Sequence, residues 1–249
     1  VLNVTRMDLY LRFECPVEEE ELALYRALIK RSITGEPLEY ILSRVQFFGI
    51  EIDVGSSVLI PRPETEILVE TVAKELKDVD LEGKRLIDLC SGSGCMGLSL
   101  KKRFPILDVS LLDLSEKALE MSRKTAARQE IDVSFIQGDL LVDYKGSKVD
   151  FLLCNPPYIS ELEYANLSES VKNYEPKMAL VGGETGLEFY SRFSRELPEH
   201  LNSGAKVYLE IGYLQGNEMD QIFSSSIWKK KALSQDWSGK DRFFFLEME

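Results

Sequence analysis

The sequence predicts an α/β protein with a doubly wound, mainly parallel sheet, an antiparallel end to that sheet, and a small N-terminal helical domain. Three observations lead to this prediction. From residue 84 onward, apolar strand-like runs alternate with helical patterns. A glycine-rich turn, Cys90 to Gly94, stands between one such strand and a helix. The tetrapeptide Asn155-Pro156-Pro157-Tyr158 directly follows another strand, and ligands bind at the carboxyl ends of strands in such sheets.

Residues 1–45 are predicted to form a separate helical domain. The acidic run Glu18 to Glu21 suits a helix amino terminus, and apolar residues recur at helical spacing after it. Gly35 is expected to end this helix, and Pro37 is expected to open the next one. Residues 46–61 are predicted to be a β-hairpin linker, with arms at 47–54 and 58–60 and a turn at 55–57.

The main domain is predicted to cover residues 62–249 and to begin with a helix that starts near Pro63 and ends at Leu76. Strands are then expected at 85–89, 109–113, 133–137, 149–154 and 206–211, and helices at 95–103, 115–128, 187–201 and 214–223. Residues 229–233 and 242–248 are expected to form an antiparallel pair at the end of the sheet.

Composition limits the function classes. The chain has 249 residues and a net charge of −12, which argues against a protein that holds nucleic acid through phosphate contacts. No apolar run is long enough for a membrane span, and the first residues lack the features of a signal peptide. Four cysteines without a C-x-x-C pair, together with one histidine, predict free thiols and no metal site. We therefore expect a cytoplasmic protein without membrane partners.

The segment Gly92 to Gly97 fits the G-x-G-x-x-G pattern of dinucleotide-binding loops, and Asp113 lies 19 residues past Gly94, where an acid would bind ribose hydroxyls. A nicotinamide-dependent dehydrogenase is therefore one candidate. Asp88 favours S-adenosylmethionine instead, because a carboxylate repels a pyrophosphate but attracts an ammonium and a sulfonium. Asp139, followed by Leu140, offers an acid and an apolar wall that suit adenine.

Several segments resemble those of known methyltransferases. Asp88 to Gly94, Asp113 and Asn155 to Tyr158 are similar to the cofactor loop, ribose acid and N-P-P-Y motif of class I (Rossmann-like) methyltransferases that act on nitrogen. More closely, the chain resembles the bacterial-type peptide chain release factor N5-glutamine methyltransferases, the PrmC/HemK family. The matching segments are Gly35 to Leu42, Phe47 to Gly49, Val58 to Glu66, Tyr174 to Pro176, Ala179-Leu180, Gly182-Gly183, Gly186-Leu187, Leu209 to Gly212 and Ser238 to Arg242. Cys90 departs from the family, which usually has glycine there, and a slightly different backbone is expected at that position. The N-terminal domain is expected to be truncated.

The resemblance implies S-adenosyl-L-methionine as cofactor, release factors as protein partners, and no direct binding of nucleic acid. It implies catalytic roles for Asn155, Pro156 and Tyr158, and it adds Pro157 to these as substrate-binding residues. The cofactor-binding residues that it implies are Asp88, Cys90, Ser91, Gly92, Ser93, Gly94, Asp113, Leu114, Asp139, Leu140 and Asn155. The N-terminal domain is expected to recognise the protein substrate.

Three other functions stay open at this point. A glutamine methyltransferase of a ribosomal protein would carry the same N-P-P-Y motif. An adenine-N6 nucleic-acid methyltransferase would also suit Asn155 to Tyr158, although it would normally add a basic recognition region. A non-enzymatic cofactor-binding module would be expected to carry broken motifs, and none is broken here.

Overall fold

The N-terminal part of the protein is helical. A computed structural model describes residues 1–2 and 4–249. Its first helices are α1 (Arg6–Leu11), α2 (Glu19–Ile33) and α3 (Leu38–Leu42). The predicted stop at Gly35 is confirmed, because α2 ends at Ile33 and Gly35 has a φ of 87°, a left-handed conformation that favours glycine. Pro37 is the residue that precedes α3, as the sequence indicated.

The hairpin that follows lies earlier in the chain than predicted. Its arms are β1 (Arg44–Phe47) and β2 (Ile50–Asp53), which pair antiparallel. The two turn residues are Phe48 and Gly49, both with positive φ, as a two-residue hairpin turn requires. Residues 58–60 form no strand, so the prediction of a second arm there was wrong. The polar segment at residues 55–57 was mistaken for the hairpin turn.

The remaining elements follow the predicted alternation closely. They are α4 (Pro63–Leu76), β3 (Arg85–Leu89), α5 (Cys95–Arg103), β4 (Asp108–Asp113), α6 (Glu116–Gln129), β5 (Ser134–Gln137), β6 (Val149–Cys154), β7 (Ile159–Ser160), α7 (Glu161–Ala165), α8 (Glu169–Tyr174), β8 (Val181–Gly183), α9 (Glu188–Glu196), β9 (Leu201–Glu210), α10 (Gly216–Ile222), β10 (Trp228–Gln235) and β11 (Asp241–Met248). Short 3-10 turns lie at Lys177–Ala179 and Leu197–His200. The sequence did not predict β7, β8 or the two short helices α7 and α8.

Seven strands form the central sheet in the order β10-β11-β9-β6-β3-β4-β5. The five strands from β9 to β5 are parallel, whereas β11 runs antiparallel to both of its neighbours. The predicted fold class and the antiparallel end are therefore confirmed. Because the strand order reverses between β3 and β6, a crevice forms at the carboxyl ends of these two strands.

The sheet is buried on both faces, which explains why its strands read as nearly continuous apolar runs. Neighbouring residues of one strand enter opposite cores, since successive side chains point to opposite faces. Leu86 and Leu153 pack in one core, whereas Ile87 and Leu152 pack in the other. This double packing fixes the strand register, and with it the position of every side chain at the carboxyl edge.

The N-terminal helices are attached to the main domain at only a few points. Helix α2 buries none of its residues, whereas Tyr40 of α3 packs in the core and donates a hydrogen bond to the Val58 carbonyl at 2.6 Å. The Tyr174 hydroxyl of α8 reaches the Thr34 carbonyl at 2.9 Å. Helix α3 is thus part of the main core, and α2 projects from it. In the part of the chain that the structure describes, no helix combines the length and apolar character needed to cross a membrane.

Candidate functional site

Two cavities open at the carboxyl edge of the sheet and meet at Asn155. The larger has a volume of about 410 Å³ and is lined by the loop after β3, the end of β4 and the segment after β5. The smaller has a volume of about 140 Å³ and is lined by Pro156, Tyr158 and, from α8, Val171. Asn155 lines both cavities. The larger volume lies within the range of small-ligand sites, and the smaller suits one side chain.

The glycine-rich loop forms the floor of the large cavity. Cys90 has a φ of 56°, Gly92 of 53° and Gly94 of 76°, all in the left-handed region. Cys90 therefore adopts the conformation that a glycine would adopt, at the cost of a strained backbone. A Cβ atom added at Gly92 would meet no atom within 4 Å, whereas one at Gly94 would lie 2.9 Å from Ser122 Cβ. Gly92 thus keeps ligand space open, and Gly94 allows α5 to pack against α6.

Asp113 holds this loop in place from the end of β4. Its Oδ2 accepts the N–H of Gly92 at 2.8 Å, and its Oδ1 accepts the N–H of Ser115 at 2.8 Å. Burial raises the pKa of Asp113, and the two N–H donors act in the opposite direction. The carboxylate lines the large cavity, so its remaining lone pairs are available to hydroxyl donors of a ligand.

Asp88 lies beneath the loop rather than on the cavity wall. It is fully buried, and its Oδ2 accepts the N–H of Gly97 in the first turn of α5 at 2.7 Å. Its Oδ1 has no hydrogen-bond partner among residues 1–2 and 4–249. Burial raises the pKa of Asp88 to about 7. The carboxylate therefore anchors the helix amino terminus, and it does not line the cavity as the predicted cofactor contact would.

The other predicted cofactor residues divide into two groups. The residues that line the large cavity are Cys90, Ser91, Gly92, Ser93, Asp113, Leu114, Asp139, Leu140 and Asn155, together with Pro157 of the predicted substrate motif. Asp88 and Gly94 do not line the cavity: Asp88 accepts the Gly97 N–H beneath the loop, and Gly94 lies against Ser122 of α6. The Asp139 carboxylate is already bound by Arg192 of α9, whose Nη1 lies 2.8 Å from both oxygens. Arg192 lines the same cavity and was not predicted.

The Asn155 to Tyr158 turn lies between the two cavities. Asn155 Nδ2 donates to Thr65 Oγ1 at 3.1 Å, which leaves the amide oxygen on the other side of the group. Pro156 and Tyr158 line only the small cavity. The Tyr158 hydroxyl donates to Glu210 at 3.2 Å, and burial raises its pKa, as does the nearby Glu210 charge. The predicted residues of this motif therefore all lie at the junction of the two cavities, Pro157 on the large one and Pro156 and Tyr158 on the small one.

The segment after the 3-10 turn Lys177–Ala179 packs closely against the Asn155 to Tyr158 turn. A Cβ at Gly182 would lie 2.2 Å from the Pro157 carbonyl oxygen, and one at Gly186 would lie 2.2 Å from the Tyr158 carbonyl oxygen. Gln215 Nε2 donates to the Tyr158 carbonyl at 3.0 Å. No donor among the described residues reaches the Pro156 carbonyl. The Pro157 carbonyl likewise receives no hydrogen bond from the described residues, but it packs against Gly182.

Sequence reasoning missed the polar residues behind the turn. Thr65 of α4 is buried and donates to Glu210 Oε2 at 2.7 Å, and Glu210 is a buried carboxylate at the end of β9. Glu175 is also buried, and it accepts from Arg62 at 2.6 Å and from the Ile60 N–H at 3.2 Å. Charged residues are seldom buried without partners. The acid at the end of the apolar strand β9, Glu210, could therefore have indicated a buried polar site.

The cysteines and the histidine differ in their surroundings. Cys95 and Cys154 are buried, Cys90 is partly buried, and Cys15 is exposed. Across residues 1–2 and 4–249, no group of three or more histidine, cysteine, aspartate or glutamate side chains is arranged to hold a metal ion. His200 stacks edge-on against Tyr144 at a ring distance of 5.7 Å, within the 3-10 turn that precedes β9.

Comparison with known proteins agrees with this geometry. Residues 47–172 match the methyltransferase small domain family, and residues 1–42 match the PrmC N-terminal domain family. The chain is 37% identical over 249 residues to the release factor glutamine methyltransferase of Thermodesulfovibrio yellowstonii, covering 99% of this chain and 88% of that one. It is 39% identical to the release factor glutamine methyltransferase of Chlamydia trachomatis, covering 94% of this chain and 80% of that one.

A solved structure of more distant sequence has the same fold. The catalytic domain of hMettl16, crystallised with an RNA hairpin, superposes with a TM-score of 0.62 at 17% identity, covering 84% of this chain and 78% of that one. At such low identity the likeness concerns the fold alone. The two cavities that meet at Asn155, the two matched domains and the near full-length relatives lead to one conclusion. The chain belongs to the family of release factor glutamine methyltransferases, which are enzymes that use S-adenosyl-L-methionine as methyl donor.

Proposed function

We propose that this protein methylates the side-chain amide nitrogen, N5, of the glutamine in the Gly-Gly-Gln motif of peptide chain release factors. One observation carries the proposal: a ligand-sized cavity and a side-chain-sized cavity meet at Asn155. A bound methyl donor and a bound glutamine side chain would therefore face each other at this residue. Membership of the family supports the release factor as the protein substrate.

The large cavity fits S-adenosyl-L-methionine. The open space above Gly92 leaves room for the methionine part, and the Asp113 carboxylate faces the position of a ribose. Leu114 and Leu140 provide apolar walls for the adenine, next to the Asp139–Arg192 pair. When bound, the cofactor supplies an electrophilic methyl group on its sulfonium.

The small cavity orients the glutamine amide. An amide nitrogen is a weak nucleophile because its lone pair is shared with the carbonyl group. The Asn155 side-chain oxygen and the Pro156 carbonyl can each accept one of its two N–H groups, which fixes the amide plane. Both acceptors also place partial negative charge beside the nitrogen while positive charge develops there. The proton becomes acidic at that stage and can leave to water, so no side-chain base is required.

Two other substrates share this chemistry. A ribosomal protein glutamine would enter the small cavity in the same way, and only the family relationship favours the release factor. An exposed adenine amino group also presents two N–H donors. Against adenine, the protein carries a net charge of −12, which disfavours binding of nucleic acid through its phosphates.

The decisive experiment compares methyl acceptors directly. The protein is incubated with labelled S-adenosyl-L-methionine and, separately, with a release factor, ribosomal proteins, DNA and RNA. We expect label only in the release factor, on the glutamine of its Gly-Gly-Gln motif by mass spectrometry. A release factor with glutamate at that position has no N–H to bind and should stay unlabelled. One with asparagine is one methylene shorter and should react very slowly. Label in nucleic acid alone would refute the proposal.

Substitution of Gly92 tests the cofactor site. Gly92→Ala places a methyl group in the open space of the large cavity. We expect the affinity for S-adenosyl-L-methionine to fall roughly 10- to 100-fold. This matches the cost of about 1–3 kcal/mol that an overpacked contact usually has. Gly83→Ala is the matched control. Gly83 also has positive φ (69°) and open space around it, but it lies before β3, away from the cavity. Equal calorimetric affinities of the two variants would contradict the assignment.

The N-terminal helices are proposed to contact the protein substrate. Helix α2 exposes Leu24, Tyr25, Ile29 and Ile33. Its end is tied through Thr34 to Tyr174 of α8, and Val171 of α8 lines the small cavity. A release factor whose glutamine occupies the small cavity would therefore lie close to α2. The acidic residues at the start of α2 suit a basic surface on that partner.

A shortened chain tests this role. Removing residues 1–35 deletes α1 and α2 but keeps Tyr40 in the core. We expect kcat/KM for the intact release factor to fall at least about tenfold, since losing one interface hot spot already costs about 2 kcal/mol. The affinity for S-adenosyl-L-methionine and the activity on a short Gly-Gly-Gln peptide should not change, and both measurements verify that the shortened chain is folded. Unchanged kcat/KM with the intact factor would refute the role.

A further inference from the structure

Five polar side chains form one hydrogen-bonded group behind the Asn155 to Tyr158 turn, here called the Glu210 network: Asn155, Thr65, Glu210, Tyr158 and Arg242. Asn155 Nδ2 donates to Thr65 Oγ1 at 3.1 Å, and Thr65 donates to Glu210 Oε2 at 2.7 Å. On the other side, Arg242 Nη1 lies 3.5 Å from the Tyr158 hydroxyl, which donates to Glu210 Oε1 at 3.2 Å. Thr65 and Glu210 are only 2% and 1% exposed, and they border the large and the small cavity, respectively.

The direction of each bond in the network follows from Glu210. An ionised carboxylate can only accept hydrogen bonds, and a hydroxyl has a single proton to donate. Thr65 gives its proton to Glu210, so its oxygen can only accept from Asn155. Tyr158 likewise gives its proton to Glu210 and accepts from Arg242. Both chains of hydrogen bonds therefore end on Glu210, and neither can be reversed while this carboxylate is charged.

The pKa of Glu210 lies above its ordinary value, because burial and the Glu64 charge disfavour the carboxylate more than its partners favour it. The partners that lower this pKa are the Thr65 hydroxyl, the Arg242 charge and the Tyr158 hydroxyl. Arg242 is itself balanced by Asp236, whose Oδ2 lies 3.5 Å from Arg242 Nε. Two hydroxyl donors and one nearby guanidinium thus compensate the buried carboxylate in part.

The amide of Asn155 has two orientations of nearly equal shape, which differ in whether its oxygen or its NH2 group faces the small cavity. Because the Thr65 oxygen needs a donor, the NH2 group is held towards Thr65. A rotated amide would put two oxygen acceptors against each other with no proton between them, at the cost of a buried unpaired group. The oxygen of Asn155 is therefore turned towards the place where a substrate N–H would arrive.

We propose that Glu210 and Thr65 are positioning residues that make the enzyme accept an amide and reject a carboxylate at this site. This inference rests on the proposed function. The buried Glu210 makes the Asn155 side chain an obligatory acceptor towards the substrate, through the one-way hydroxyl of Thr65. Glutamine brings N–H donors to this acceptor, whereas glutamate brings only acceptors and is repelled.

The first test uses Thr65. Thr65→Val has nearly the same shape but no hydroxyl, so Asn155 loses the partner that orients it. We expect kcat to fall roughly 10- to 100-fold, as for loss of a supporting contact behind a reacting group. The unfolding temperature should stay near that of the unaltered protein, and the affinity for S-adenosyl-L-methionine, whose cavity Thr65 borders, should change less than kcat. Thr65→Ser keeps the hydroxyl and should retain most of the kcat. If serine is as impaired as valine, the hydroxyl does not act as proposed.

The second test reverses the direction of the bonds. In Glu210→Gln, the new amide can accept from Tyr158 and donate to Thr65. Thr65 then donates to Asn155, whose oxygen turns inward and whose NH2 group faces the small cavity. Affinities for a glutamine peptide and the matching glutamate peptide are measured by calorimetry with S-adenosyl-L-homocysteine bound, so no reaction is involved. We expect the unaltered protein to bind the glutamine peptide more tightly than the glutamate peptide. In Glu210→Gln the ratio of the two affinities should fall at least about tenfold, or invert. A change of this size corresponds to one charge-assisted hydrogen bond.

The outcomes separate this inference from the proposed function. If the unaltered protein does not methylate the glutamine of a release factor, the proposed function is wrong. If it does, but Glu210→Gln keeps the same preference for the glutamine peptide, Glu210 is a structural residue only and the inference is overturned. A purely structural role would lower the unfolding temperature without changing the ratio of the two peptide affinities.

Discussion

Replacing Asn155 by alanine is expected to lower kcat roughly 100- to 1,000-fold, the usual effect of removing one group that stabilises developing charge. The variant keeps the large cavity but loses the side-chain oxygen that accepts a substrate N–H. That interaction matters most in the transition state, so the affinity for S-adenosyl-L-methionine should change much less than kcat. Rapid-quench measurements of single turnovers, combined with calorimetry of the cofactor, separate the two effects.

Asn202→Ala is the matched control for this experiment. Asn202 is also an asparagine at the end of a strand, but it lies at the amino end of β9, on the opposite edge of the sheet. Its side chain donates to the Lys148 carbonyl at 3.4 Å and also interacts with Asp150, both away from the two cavities. We expect its kcat to equal that of the unaltered protein. An unchanged kcat in Asn155→Ala would show that the Asn155 side chain takes no part in methyl transfer.

Replacing Asp113 by alanine should produce the largest loss of cofactor affinity, about 100-fold or more. The carboxylate is expected to bind ribose hydroxyls, and it also holds the Gly92 N–H and the Ser115 N–H in position. Hydrogen bonds to a charged group contribute about 1.5–3 kcal/mol each, and the variant loses several at once. Isothermal titration with S-adenosyl-L-methionine measures the loss directly.

Asp113→Asn provides the graded comparison. Its side-chain oxygen can still accept one N–H of the loop, but its NH2 group faces the second N–H donor. We expect an affinity between those of the unaltered protein and Asp113→Ala. Unchanged affinity in the alanine variant would show that Asp113 does not bind the cofactor. Binding of NADH as tight as that of S-adenosyl-L-methionine would favour a dehydrogenase.

The main elements of the fold were predictable because their signals are local. Strands buried on both faces give apolar runs, and the helices between them have clear starts, such as Pro63 and Ser115. The hairpin was misplaced because its turn contains Phe48, a residue that seldom adopts positive φ. The helices α7 and α8 have five and six residues, too few for a periodic pattern to be recognised.

The candidate site was predictable to the extent that its residues are neighbours in sequence. The glycine loop and the Asn155 to Tyr158 turn each follow one strand, so each could be found as a unit. Asp88 lies in β3, two residues before this loop, but whether its side chain points into the cavity or beneath the loop depends on how α5 packs. Thr65 and Glu210 could not be paired from the sequence, since nothing local relates a residue of α4 to one at the end of β9.

The Glu210 network joins distant parts of the chain. The Thr65–Glu210 bond spans 145 residues, and the Arg242–Tyr158 bond spans 84. During synthesis, the strands that carry the cofactor loop emerge long before β9 and β11. A chain that has not yet added β9 has no carboxylate at this place to orient Asn155. Discrimination between amide and acid is thus acquired only after β9 has joined the sheet and brought Glu210 to Thr65.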